Sequence, residues 1–219
     1  MPPRGKGGAE ADAPAAGVRP SLSRDFIAFH KRRRIMDALA ELSSEQGYEA
    51  TKISDIVRRA AVARKTLYDN FSGKEEVFLG AFDAAVEEAV RRVERACAAA
   101  EGGWEEQVDA GLAAFLGYVA EDPALARMCL IEALSATPET TRRHEDAHQL
   151  FVELAERVFP KAPRVPPTTA EAVVGGVERI VYREICEDKA GQAEDLLPEL
   201  SEFMRGPYLH SGAHGGANN

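Results

Sequence analysis

Three observations predict an all-α fold for this 219-residue chain. Ala and Glu are abundant while runs of β-branched residues are scarce, a composition that favours helices. Apolar residues recur at three- and four-residue spacing in segment after segment, the period of a helix with one buried face. Gly, Pro or a short polar residue stands at most of the boundaries between those segments, and no stretch alternates as a strand does.

The elements follow in order. Residues 1–22, rich in Pro, Gly and Ala without periodicity, read as a disordered arm. A helix from about residue 23 carries Ile35, Leu39 and Leu42 inward and ends at Gly47. "TKISDIVRRA" predicts a short helix capped by Thr51 and facing Ile53, Ile56, Val57 and Ala60 inward. "ARKTLYDNF" predicts another, with Leu67 and Phe71 on one side. Ser72 with Glu75 reads as a capping box opening a long helix that runs to the "EGG" at 101–103. Residues 104–121 form the next helix. Asp122 and Pro123 are N-cap and first residue of the one after it, carrying "ALARMCLIEAL". Pro138 opens a helix to about residue 159 with Leu150, Phe151, Leu154 and Val158 as its core stripe. "PKAPRVPP" at 160–167 is a stiff linker, helices over 168–188 and 194–209 follow, and a disordered tail occupies 211–219.

The net charge of −9 is unevenly spread. Residues 1–22 sum to +1, residues 23–80 to +2 with eleven basic against nine acidic groups, and residues 81–219 to −12. An acidic body repels phosphate, so contact with a polyanion falls to the head. Three scattered cysteines, Cys97, Cys129 and Cys186, suit a reducing compartment and read as small buried hydrophobes. No apolar run approaches the ~20 residues of a membrane span, and the first twenty residues lack a signal-peptide core, so a cytoplasmic protein is expected, without a membrane partner.

Residues 51–74 have the form of a helix-turn-helix. Ala60 and Ala61 are small enough for a steep crossing, Val62 fills the turn, and Leu67 anchors the second helix from beneath. Its outer face then holds Arg64, Lys65, Thr66, Tyr68, Asp69 and Asn70, donors and acceptors suited to phosphates and base edges. The cluster "HKRRR" at 30–34 and the arm's Arg4, Lys6 and Arg19 are further basic candidates.

The run from Ile35 to Phe82, through "GYEATKISDIVRRAAV", "KTLYDNF" and "SGKEEVF", resembles the TetR family of transcriptional regulators. The resemblance implies a DNA-binding head at 23–80 and a helical ligand-binding and dimerisation domain at 81–210. It implies that Thr51 and Lys52 meet the DNA backbone, and that Arg64, Lys65, Thr66 and Asn70 face bases or nearby phosphates. Tyr68 and Lys74 would each hold a phosphate, the latter aided by the helix N-terminus. The partners implied are a palindromic operator, a small-molecule effector that releases it, and a second copy paired through the last two long helices. No cofactor is implied. Ala61 departs from the glycine usual in the turn, and a positive φ there would cost roughly 1–2 kcal/mol. Lys65 and Asn70 depart as well, so the operator cannot be borrowed from a relative.

In the body, Leu112, Phe115, Met128, Cys129, Glu132, Phe151 and Tyr182 are the candidate pocket residues. Glu132 stands out because a buried carboxylate requires a partner or a ligand. "VVGGVERIVYREI" places paired glycines inside a helix, each costing roughly 1 kcal/mol against Ala, which suggests a close approach to the twin helix of a dimer. "HEDAH" at 144–148 matches the spacing of a zinc site with a general base, His144 and His148 with Glu145. Its polar surroundings predict an accidental match facing water or the pocket rim. A metal-responsive regulator and a zinc hydrolase stand as alternatives. No other catalytic set is present, so the chain is not expected to be an enzyme.

Overall fold

The computed structural model describes residues 24–161 and 165–209. The predicted arm with Arg4, Lys6 and Arg19, the predicted tail, and part of the linker lie outside them. Among the described residues the regular elements are all helices, with no strand, as the periodicity predicts.

The head consists of α1 (Arg24–Gln46), α2 (Ile53–Arg59) and α3 (Arg64–Asn70), joined to the body by the long α4 (Lys74–Ala99). α5 (Trp104–Glu121) runs back along α4 after the break at Gly102 and Gly103, where the Glu106 carboxylate takes the Gly103 N–H at 2.8 Å. α6 (Pro123–Leu130) opens as expected, with Asp122 Oδ1 accepting the Leu125 N–H at 3.0 Å. It stops earlier than the apolar pattern suggests, and Glu132–Leu134 continue as a single 3₁₀ turn. α7 (Pro138–Val158), α8 (Thr169–Cys186), a 3₁₀ segment (Ala190–Leu196) and α9 (Leu197–Leu209) complete the chain.

Two predicted caps shift by one residue. Thr51 is not the N-cap of α2; Lys52 occupies that position. Thr51 is instead 1% exposed, its hydroxyl donating to the Gly47 carbonyl at 2.9 Å and so closing the turn after α1. At α4 the N-cap is Gly73, which moves the third helical position to Glu76. It is Glu76, not Glu75, whose carboxylate takes the Ser72 N–H, at 2.6 Å.

The head's core, Ile35, Leu39, Ile56, Leu67, Phe71 and Phe78, continues without interruption into Phe82, Met128, Ala133 and Ala147. α6 and the first half of α7 are therefore fastened to the head as well as to the body. A second cluster joins α5, α6, α8 and α9, and a third lies where Val108, Val152, Phe159 and Val173 meet. Leu150, predicted as core, is 47% exposed and Val152 is buried in its stead, while Leu154 is buried as predicted. Of the cysteines, Cys97 and Cys129 are partly buried and Cys186 is exposed, against expectation. No helix of the described residues is long and apolar enough to cross a membrane.

Candidate functional site

α3 is held out from the head by contacts at its two ends and along one face. Leu67 is fully buried beneath it, while Arg64, Lys65, Tyr68 and Asp69 are exposed and Thr66 and Asn70 are half-buried. Lys65 pairs with Asp69 at 2.8 Å along the outer face, and Arg64 Nη2 donates to the Tyr68 hydroxyl at 3.4 Å. Asn70 Nδ2 turns back to the Thr66 carbonyl at 2.7 Å, so its amide is partly committed to the helix itself. The α2–α3 turn holds Ala61 at φ +49, the left-handed conformation that its position predicts.

Two arginines of "HKRRR" act as struts for this helix pair rather than as free surface charge. Arg34 donates through Nη2 to the carbonyls at the end of α2, Ala60 and, at 3.1 Å, Ala61. Arg32 donates to the Asn70 carbonyl at 2.9 Å and stacks on the Phe71 ring, 4.1 Å from its centroid. Carbonyls left without partners at helix ends are thus supplied with charged donors. Sequence reasoning had no signal for this, because the pairing spans 26 and 38 residues.

Two predicted phosphate contacts are placed differently. Thr51 is buried, so its side chain cannot reach a backbone outside; Lys52 beside it is exposed. Lys74 lies in the first turn of α4 as expected, but Nζ donates to the Tyr48 carbonyl at 2.8 Å and sits 3.9 Å from the centre of the Tyr48 ring. Partial burial lowers the Lys74 ammonium pKa. The Tyr48 ring in turn packs edge-on against Phe78, with centroids 5.4 Å apart.

In the body, a cavity of about 170 Å³ lies between α4, α5, α6, α7 and α8. Its walls are mainly apolar, and of the candidate pocket residues Leu112, Phe115, Cys129 and Phe151 line it. Met128, Glu132 and Tyr182 do not. Met128 belongs to the core shared with the head, and Tyr182 stacks under Arg179. Glu132 is turned to the head, where its Oε2 accepts the Tyr48 N–H at 2.9 Å. Its partner is therefore a backbone amide 84 residues upstream, which meets the demand that a partly buried carboxylate makes.

The cavity's polar groups include two that sequence reasoning placed on a polar face and one it did not single out. His144 is 9% exposed and His148 is half-buried; both line the cavity wall. Glu178 of α8 bridges them, His144 Nε2 to Oε1 at 3.0 Å and His148 Nδ1 to Oε2 at 2.7 Å. Burial pushes the Glu178 carboxyl up, but the two imidazoles together outweigh it and hold it below the ordinary carboxylate range. Tyr118 and Cys129 are pushed up to about 12 by burial, so both keep their protons. Glu145 is exposed on the far side of α7 and takes no part. Each imidazole points at its own carboxylate oxygen at hydrogen-bond length, and among the described residues no group of three or more potential ligands could hold a metal ion. The zinc-site reading of "HEDAH" accordingly has no geometric support.

Gly176, read as a contact with a twin helix, is accounted for within the chain. A Cβ there would lie 2.6 Å from Phe203 Cζ of α9, and one on Gly175 would touch His148.

Residues 35–81 match the family described as bacterial regulatory proteins, tetR family. The similarity to that family lies in the head and the first turns of α4. The chain is 33% identical over 64 residues to the fatty acid metabolism regulator protein of Bacillus subtilis, a match covering 29% of this chain and 33% of that one. It is 29% identical over 199 residues to the A-factor receptor protein of Streptomyces griseus, covering 89% and 68%. The chain thus spans about a third of the first relative's length and about two thirds of the second's. The fold of the chain superposes on the crystal structure of the transcriptional regulator FadR from Bacillus subtilis in complex with stearoyl-CoA. That match has a TM-score of 0.70 at 18% identity over 78% of this chain and 96% of the other.

Proposed function

We propose that this protein is a DNA-binding transcriptional regulator, acting as a homodimeric repressor whose α3 enters the major groove and whose body binds an effector with a large apolar part. The observation that carries the reading is α3 itself, a short polar helix anchored by Leu67 and braced by Arg32 and Arg34 with Arg64, Lys65 and Tyr68 facing outward. A helix of that width and chemistry suits the groove, and Asp69 adds an acceptor for a cytosine amino group. Lys52 is the candidate for a phosphate beside α2.

One such helix buries too little surface to specify a site, so a second copy is required, its α3 about 34–36 Å away. Pairing through α8 and α9 is the proposed arrangement, with the head at 23–80 and the ligand-binding and dimerisation domain at 81–210.

The apolar cavity supports an effector such as an acyl chain, and a structure of the same fold holds stearoyl-CoA. The route from cavity to head is short. Cys129 and Leu130 line the cavity at the end of α6, and Glu132, two residues on, grips the Tyr48 N–H in the turn before α2. An effector that fits one setting of α6 better than another shifts the head by that difference in affinity.

The test is binding to duplex from the protein's own promoter region, at two salt concentrations and against competitor DNA. Tyr68→Phe and Lys52→Ala should weaken binding several-fold across all sequences, with Lys52→Ala also reducing the salt dependence. Affinity unchanged by Tyr68→Phe, Lys52→Ala and Arg64→Ala together would show that another surface is used.

A further inference from the structure

The cavity contains a polar cluster that DNA contact does not require and that bridges α7 and α8. His144 and His148 stand one turn apart on α7, and each takes a different oxygen of Glu178. They do so through different ring nitrogens, Nε2 of His144 and Nδ1 of His148. The second nitrogens, His144 Nδ1 and His148 Nε2, have no partner among the described residues. Neither is among the sealed unpartnered polar atoms of those residues, which are Ser43 Oγ and Asp109 Oδ1. The surrounding wall is apolar, with Phe115, Phe151, Val174 and Val177.

The hydrogen-bond inventory of this cluster is restrictive. An ionised Glu178 only accepts, so each imidazole presents an N–H to it. With one proton on each ring, both second nitrogens are acceptors and the cluster carries a charge of −1. With one ring doubly protonated, the cluster is neutral and offers one donor and one acceptor. In both states an acceptor awaits a donor and no positive charge is in excess. Two imidazolium rings would supply two donors, but would leave net positive charge in an apolar enclosure, which burial disfavours. The other charged group on the wall is Asp122, itself acidic and already serving as the cap of α6. A carboxylate or phosphate needs several donors and positive charge; it finds at most one donor and no excess of positive charge. A hydroxyl, which donates and accepts, satisfies both states.

We propose that His144, His148 and Glu178 anchor the effector, and that they select a neutral hydrophobic molecule bearing a hydroxyl group over one ending in a carboxylate or phosphate. This rests on reading the cavity as the effector site. The test loads the full-length protein with the neutral dye Nile red at about pH 8 and displaces it with decan-1-ol, decanoate or decane. Decan-1-ol should displace the dye at a concentration about tenfold below decanoate, the factor that one unmade buried hydrogen bond represents. His148→Phe and Glu178→Gln, with folding checked by circular dichroism, should each bring the two within about twofold. Displacement by decanoate at equal or lower concentration in the unsubstituted protein overturns the proposal without any variant. So does an alcohol preference that survives both substitutions. If neither the dye nor any of the three probes binds, the effector-site reading itself fails and the proposal falls with it.

Discussion

At the scale of single residues, Ala61 carries the clearest strain. Its φ of +49 lies in the left-handed region, where a Cβ crowds the following carbonyl at a cost of roughly 1–2 kcal/mol. Glycine removes that crowding but loses more chain freedom on folding, worth roughly 0.4–1 kcal/mol. Ala61→Gly is therefore expected to raise stability by about 0.5–1 kcal/mol in urea unfolding, without touching the groove-facing residues. Arg34 offers the opposite case. Its guanidinium supplies donors to the last carbonyls of α2, and Arg34→Ala leaves them to water. We expect a loss of about 1 kcal/mol of stability and weaker operator binding together, whereas Arg64→Ala should weaken binding with an unchanged unfolding midpoint. A variant Arg34→Ala that binds DNA less well at unaltered stability would return this side chain to the list of direct phosphate contacts.

At the scale of elements, the closest approach of α4 and α5 is set by Gly111. A Cβ there would lie 2.7 Å from Cys97 Sγ and 3.3 Å from Val93 Cγ1, and the thiol is tied to the Gln107 carbonyl at 3.3 Å. Gly111→Ala gains helix propensity of roughly 1 kcal/mol but overpacks a tight contact, at roughly 1–3 kcal/mol. Net destabilisation of about 1 kcal/mol is expected, reversed when Cys97→Ala is added; a double variant no more stable than Gly111→Ala alone would place the strain elsewhere.

The same elements show how far sequence alone reaches. Periodicity and caps located the helices because both are local: Gly47, with φ +84, ends α1, and Asp122 with Pro123 opens α6. The helix-turn-helix was legible for the same reason. What failed was partnership across the chain. Nothing near "HEDAH" announces that Glu178, thirty residues on and in another helix, turns those histidines inward. Glu132 likewise reads as a pocket carboxylate until Tyr48 is seen beside it. Thr51 illustrates a smaller limit: a threonine before a helix serves as well to close the preceding turn as to cap.

At the scale of the whole molecule, acid should act through the histidine-bridged carboxylate. Glu178 is held below its ordinary value of 4.5, so its contribution to stability is fully present above that pH and is lost as pH falls below it through the folded value. Unfolding free energy measured from neutral pH downward should therefore decline less steeply below pH 4.5 for Glu178→Gln than for the unsubstituted protein; equal slopes would mean that other carboxylates dominate.

Communication between cavity and head depends on a second carboxylate. Tyr48 is held on three sides: by Glu132 from the body, by Lys74 on its carbonyl and ring face, and by Phe78 at the ring edge. The Glu132 contact alone originates beyond α4, and α6 connects it directly to the cavity wall at Cys129 and Leu130. Removing it leaves the Lys74 and Phe78 contacts to hold the turn, so the head should keep its fold while the turn before α2 loosens. Glu132→Ala is expected to speed amide hydrogen exchange over residues 47–52 by about tenfold or more, the loss of one hydrogen bond to a charged acceptor, while the α3 amides keep their protection. Operator affinity should fall as α2 and α3 become less firmly oriented to the body. Unchanged exchange at Tyr48 would show that the turn is held by the head alone, and coupling would then have to run along α4.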